Sequence, residues 1–95
     1  MPYRIEFKKS AGKALKRVSA NDLRSIRDVI EALKTDPHPA GHVALRGYSN
    51  PTIYRVRCGD YRILYTIKED FLLILVVAVG LRSDVYSNFA RSLRP

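Results

Sequence analysis

The sequence predicts an α+β domain with the element order β-α-α-β-β-β-α, and three observations predict it. An alternating run at the N-terminus gives way to two stripes of helical period. Two further alternating runs flank Gly59-Asp60, the signature of a tight β-hairpin. The stretch Phe71 to Val79 is almost unbroken apolar sequence, the mark of a strand buried on both faces.

The chain has 95 residues, and 1–95 is read as a single small domain. Seventeen Lys and Arg against nine Asp and Glu leave a net charge of +8. That excess predicts attraction to a polyanion, either nucleic acid or an acidic protein. Cys58 is the only cysteine, so no internal disulfide forms, which fits a reducing, cytoplasmic setting. The N-terminal MPYRIEFKKS lacks the apolar core of a signal peptide. The longest apolar run falls short of the ~20 residues that span a bilayer, so no membrane role is expected. One Cys and two His do not make a zinc site, and no metal or cofactor is expected.

In chain order, Tyr3, Ile5 and Phe7 alternate with Arg4 and Glu6, predicting a strand with one buried face. Lys8 to Val18 follows as a short basic helix. Ala11, Ala14, Leu15 and Val18 form its inner side, while Lys9, Lys13, Lys16 and Arg17 point away. Ser19-Ala20-Asn21-Asp22 supplies N-cap candidates for a second helix striped by Leu23, Ile26, Ile30 and Leu33. Asp36-Pro37 ends it, because a residue before proline avoids the α region. Asp36 to Asn50 reads as loop, with a short extended piece at Val43–Gly47. His38 and His42 sit in that loop and read as solvated histidines.

A two-residue loop at Gly59-Asp60 sets Cys58 opposite Tyr61, Arg57 opposite Arg62, Val56 opposite Ile63 and Tyr54 opposite Tyr65. Tyr54, Val56, Ile63 and Tyr65 then share the core face. Arg55, Arg57 and Arg62 share the other. Like charges across a ladder destabilise it, so this face is either a solvated basic surface or a cradle for an anion. Lys68-Glu69-Asp70 turns the chain into the apolar strand, which Gly80 breaks. Val85, Phe89 and Leu93 then recur at helical spacing. Tyr86 lies beside that stripe, and by local pattern alone it is a packed aromatic with a wet hydroxyl.

Read together, LRGYSNPTIYRVRCGDYRILYTI, the apolar strand and VGLRSDVY resemble the RelE branch of the RelE/ParE toxin superfamily. The resemblance rests on Leu45-Arg46-Gly47, Tyr54-Arg55-Val56-Arg57, Gly59-Asp60-Tyr61-Arg62, Tyr65, Val79-Gly80, Arg82 and Asp84-Val85-Tyr86. It implies a mostly antiparallel four-stranded sheet, with the N-terminal helical hairpin packed on it and a short C-terminal helix. It implies a ribosome-dependent mRNA endoribonuclease that cuts in the A site, with a RelB-like acidic antitoxin as partner in a hetero-oligomer. It implies catalytic roles for Arg55, Arg57, Arg62, Arg82 and Tyr86, and RNA contacts by Arg46, Arg55 and Arg57. Lys13, on the basic helix, joins those RNA contacts.

Well-known members carry lysines where this chain has Arg55 and Arg57. Arginine effectively cannot lose its proton, so both are assigned to holding phosphate rather than to proton abstraction. Attack by the RNA's own 2′-hydroxyl needs no metal. It needs a base, charge stabilisation at phosphorus and a proton for the leaving oxygen. Arg62 and Arg82 are assigned to the phosphorus, and Tyr86 to the base. A gyrase-directed, ParE-like toxin, a non-catalytic nucleic-acid module and a basic subunit with an acidic partner are the alternative readings.

Overall fold

A computed structural model describes residues 2–94; residues 1 and 95, the ends of the expected domain, lie outside it. The first strand, β1, is Arg4–Phe7. Helices α1 (Lys9–Leu15) and α2 (Ala20–Leu33) follow. Then come β2 (Val43–Ser49), β3 (Thr52–Cys58), β4 (Tyr61–Lys68), β5 (Leu73–Leu81) and α3 (Val85–Ser92). The strands form one five-stranded sheet in the order β1-β5-β4-β3-β2. Only β1 and β5 run parallel.

The expected count of four strands is thus short by one. Val43–Gly47 is part of a full edge strand, β2, which pairs with β3. Its side chains are mostly exposed and Gly47 sits at φ 89°, so neither burial nor alternation announces it. Nor does Gly80 break β5, which runs through it to Leu81. The strand starts two residues later than the apolar run, because Glu69–Phe71 forms a 3-10 turn and Leu72 adopts a left-handed φ of 49°. Phe71 and Phe7, both expected inward, are 67% and 44% exposed. β1 is an edge strand, and Phe7 lines an open groove between it and α2. Leu93 falls just past α3 and is exposed.

The β3–β4 hairpin matches the expected register: Cys58 pairs with Tyr61, Arg57 with Arg62, Val56 with Ile63 and Tyr54 with Tyr65. Gly59 takes φ 59°, the positive value that a type II′ turn needs at its first central position. Helices α1 and α2 cover one sheet face. Ala11, Ile26, Ile30 and Leu33 pack there on Val56, Ile63, Tyr65, Ile74, Val76 and Val79. The α2 stripe meets the sheet as its period requires, and Ser19 caps the helix by accepting from the Asp22 N–H at 3.3 Å.

The opposite face holds a second, smaller core of Ile53, Leu64, Val77, Ala78, Val85 and Phe89, roofed by α3. A β-bulge serves it. Leu64 pairs with Ala78 and Tyr65 with Val76, so Val77 is an extra residue in β5. Val77 and Ala78 therefore both meet α3. No helix among the described residues is long and apolar enough to cross a membrane.

Candidate active site

The face that carries the second core also carries the arginines. Arg57 lies opposite Arg62, and on its other side Arg62 lies opposite Gly80. Two guanidiniums in one row would repel each other if both reached outward. They do not. Arg62 is buried, and its Nη1 folds back to donate to the carbonyls of Gly59 and Tyr61, each at 2.9 Å. The hairpin turn thereby holds Arg62 in place, while Arg57 stays exposed.

Arg55 sits two residues before Arg57 on the same face, half-buried beside Leu64. Its Nη1 donates to the Tyr86 hydroxyl at 3.4 Å, across 31 positions of sequence. Its Nε is sealed from solvent and meets no acceptor. A buried donor without a partner is costly and uncommon. Tyr86 reaches Arg55 from the first turn of α3 and is 37% exposed. Gly80 lies beneath the start of α3, with room there for a methyl group but little more. A Cβ there would meet Val85 Cβ at 3.5 Å.

Arg82 follows β5 and is exposed. Its backbone N–H donates to the Asp60 carbonyl at 2.9 Å, pinning the post-strand segment against the hairpin turn. The fold therefore gathers Arg55, Arg57, Arg62, Arg82 and Tyr86 around one end of the β3–β4 hairpin. Arg46 and Lys13 stand apart. Arg46 is exposed on the outer strand β2. Lys13 lines a cavity of about 310 Å³ between α1 and α3, with Arg17 and Arg91.

A groove of about 880 Å³ lies between β1 and α2 and is lined by Tyr3, Ile5, Phe7, Leu23, Ile26 and Ile30 among others. It contains none of the clustered arginines and is not where we place the chemistry. Burial pushes the Cys58 thiol up, with Asp22 and Asp28 adding to the effect, so it is a poor nucleophile. Among the described residues no group of three His, Cys, Asp or Glu is arranged to hold a metal ion.

The loop histidines were expected to be solvated; His38 is exposed and His42 half-buried, and both rings also meet Tyr54. The His38, His42 and Tyr54 rings lie 5.3 to 5.6 Å apart, and His42 Nδ1 donates to the Pro39 carbonyl at 2.8 Å. Tyr65 lies beneath Tyr54 and donates to the Pro37 carbonyl at 2.7 Å. Burial holds its phenol well above the usual tyrosine range, with Tyr54 and Asp36 adding. This aromatic stack pins the loop, and it lies on the helix-covered side, away from the arginines.

Sequence reasoning missed two residues of the site's surroundings, Leu64 and Ile53. They alternate onto the same face as the arginines and carry its apolar floor. The signal was present in the alternation itself.

The description "ParE toxin of type II toxin-antitoxin system, parDE" matches residues 5–86. The candidate toxin RelE1 of Methanocaldococcus jannaschii is 29% identical over 89 residues, covering 93% of this chain and 99% of its own length. A chain of the archaeal RelE–RelB complex from Pyrococcus horikoshii OT3 superposes with a TM-score of 0.76 at 26% identity, covering 88% of this chain and 99% of that one. A variant of the Escherichia coli toxin RelE in the free state gives 0.77 at 21% identity, covering 99% and 100%, a likeness of fold. The chain belongs to the ParE toxin family of type II toxin–antitoxin systems, as a RelE-like toxin.

Proposed function

We propose that this toxin is a ribosome-dependent endoribonuclease that cuts mRNA in the ribosomal A site, without a metal, and so stops translation. The contact between Arg55 and the Tyr86 hydroxyl carries the reading. It sets the Tyr86 oxygen against a field of cations that suits a phosphate. Acting as the phenolate, Tyr86 takes the proton of the 2′-hydroxyl and becomes the phenol. The 2′ oxygen forms its bond to phosphorus and the bond to the 5′ oxygen breaks. A 2′,3′-cyclic phosphate and a 5′-hydroxyl result, the 5′ oxygen taking its proton from Tyr86 or water.

Arg57 and Arg82, both exposed, clamp the phosphate and meet the charge that builds on it. Arg62 contributes as a guanidinium already fixed by the turn, which spares the cost of ordering it during reaction. Arg55 orients Tyr86 and offers its unpartnered Nε–H to the substrate once the phenol shifts. Arg46 and Lys13 hold RNA backbone away from the scissile bond. A RelB-like acidic antitoxin is the partner that silences the toxin, as the RelE–RelB complex among its relatives supports.

The test is induced expression with mapping of 5′ ends on ribosome-bound message. The wild-type chain should create new 5′ ends within A-site codons. Tyr86→Phe should lower the cleavage rate about 10²-fold or more, the typical contribution of a positioned acid or base. Intact message under wild-type expression would overturn the activity, and wild-type cleavage by Tyr86→Phe would overturn the role of Tyr86. One observation favours a second reading: the family description that matches is that of ParE. A gyrase-directed toxin would block supercoiling in vitro and leave message whole.

A further inference from the structure

Helix α3 is eight residues long. Isolated helices below about 12 residues are marginal in water, so its place depends on what it touches. Val85 and Phe89 anchor one side of it to the sheet. Two anchors in line on a helix leave it free to fray at the far end and to roll. Lys8, at the junction of β1 and α1, sits at that far end.

The Lys8 backbone is fixed. Its N–H donates to the Val76 carbonyl of β5 at 2.9 Å, and its carbonyl accepts from the Gly12 N–H at 3.0 Å. Its side chain reaches α3. Nζ donates to Ser92 Oγ at 3.1 Å and lies 5.6 Å from the centre of the Phe89 ring. Ser92 Oγ in turn donates to the Phe89 carbonyl at 2.6 Å. A cation thus feeds a chain of hydrogen bonds that ends on a last-turn carbonyl, where the helix dipole favours positive charge. No carboxylate pairs with Lys8 among the described residues. Its charge is spent on α3.

We infer that Lys8 is a positioning residue: it latches the C-terminal end of α3 and, through that helix, sets Tyr86 against Arg55. The Tyr86–Arg55 contact is long, at 3.4 Å, so a slight roll or fraying of α3 is enough to lose it. The cleavage arm of this inference rests on the endoribonuclease reading; the latch itself does not.

The test compares wild type, Lys8→Met, Lys8→Arg and Ser92→Ala. Amide exchange of Asn88 to Arg91 should speed up about tenfold in Lys8→Met and less in Ser92→Ala, and should be restored in Lys8→Arg. The Tyr86 ring resonances should shift in Lys8→Met while those of Tyr65 stay put. Cleavage should fall several-fold in Lys8→Met at unchanged affinity for ribosome-bound message. On a Tyr86→Phe background, Lys8→Met should cost nothing further, as residues acting through one another are non-additive. Unchanged exchange and unchanged Tyr86 resonances would overturn the latch. Additive losses in the double variant would overturn its action through Tyr86. A wild-type protein that cuts nothing would overturn the endoribonuclease reading, and the resonance measurements would still decide the latch.

Discussion

On one face of the β3–β4 hairpin, Val56, Ile63 and Tyr65 disappear into a core closed by α1 and α2. On the other, Ile53 and Leu64 meet only the short α3, and Arg55, Arg57 and Arg62 fill the rest. The same alternation builds both faces. They differ in what is asked of the next layer. The helix-covered face spends its side chains on burial. The α3 face keeps the smallest apolar floor that can hold one helix, and leaves its remaining positions to charge. Stability and chemistry are thereby divided between two sides of the same strands.

That division is open to mutation. The largest effect should come from the helix-covered face. Ile63→Ala empties a fully buried position and should cost roughly 2–5 kcal/mol of unfolding free energy, read by chemical denaturation. A loss below about 1 kcal/mol would show that this face is not the dominant core. Arg82→Ala should behave oppositely, lowering cleavage in a translating extract about 10²–10³-fold. Its stability should stay within about 0.5 kcal/mol of wild type, as for other exposed sites. Arg62→Ala should break the division by harming both, since its Nη1 also holds the carbonyls of the hairpin turn.

Tyr65 offers a smaller and pH-dependent effect. Its folded-state pKa is raised, so the native state keeps a proton that the unfolded chain gives up. Stability from this group is complete below the ordinary tyrosine value of about 10 and declines as pH rises through the folded value. Tyr65→Phe should flatten that alkaline decline and cost about 1–2 kcal/mol at neutral pH, because the Pro37 carbonyl loses its donor. An unchanged alkaline decline in the variant would point to other groups.

What could be read from the residues follows the same physics. The hairpin register was legible because Gly59-Asp60 fixes the loop and alternation does the rest. The helix α2 was legible from its stripe and cap. Strand β2 was not: a largely exposed edge strand with a positive-φ glycine looks like loop until it has a neighbour. At the candidate site, alternation set Arg62 on the right face but could not give its depth, and depth is what separates it from Arg57. The Arg55–Tyr86 meeting depends on a helix landing on a sheet, and only the family resemblance pointed to Tyr86. The Lys8–Ser92 contact spans 84 positions and leaves no local trace.

The bulge at Val77 has a further consequence. A strand presents alternate residues to each side, so its upstream pairing fixes which residue faces which layer all the way along. One inserted residue resets the phase. Counted without the bulge, Val79 would sit on the α3 side and Gly80 on the other. With it, Gly80 comes round beneath Val85, where a side chain larger than a methyl would crowd the helix. The bulge acts as a phase shifter. If β5 ran regularly through Val77 with every residue kept, Val79 would stand opposite Arg62 in the place of Gly80, and its branched side chain would crowd the start of α3, lifting Tyr86 away from the arginines.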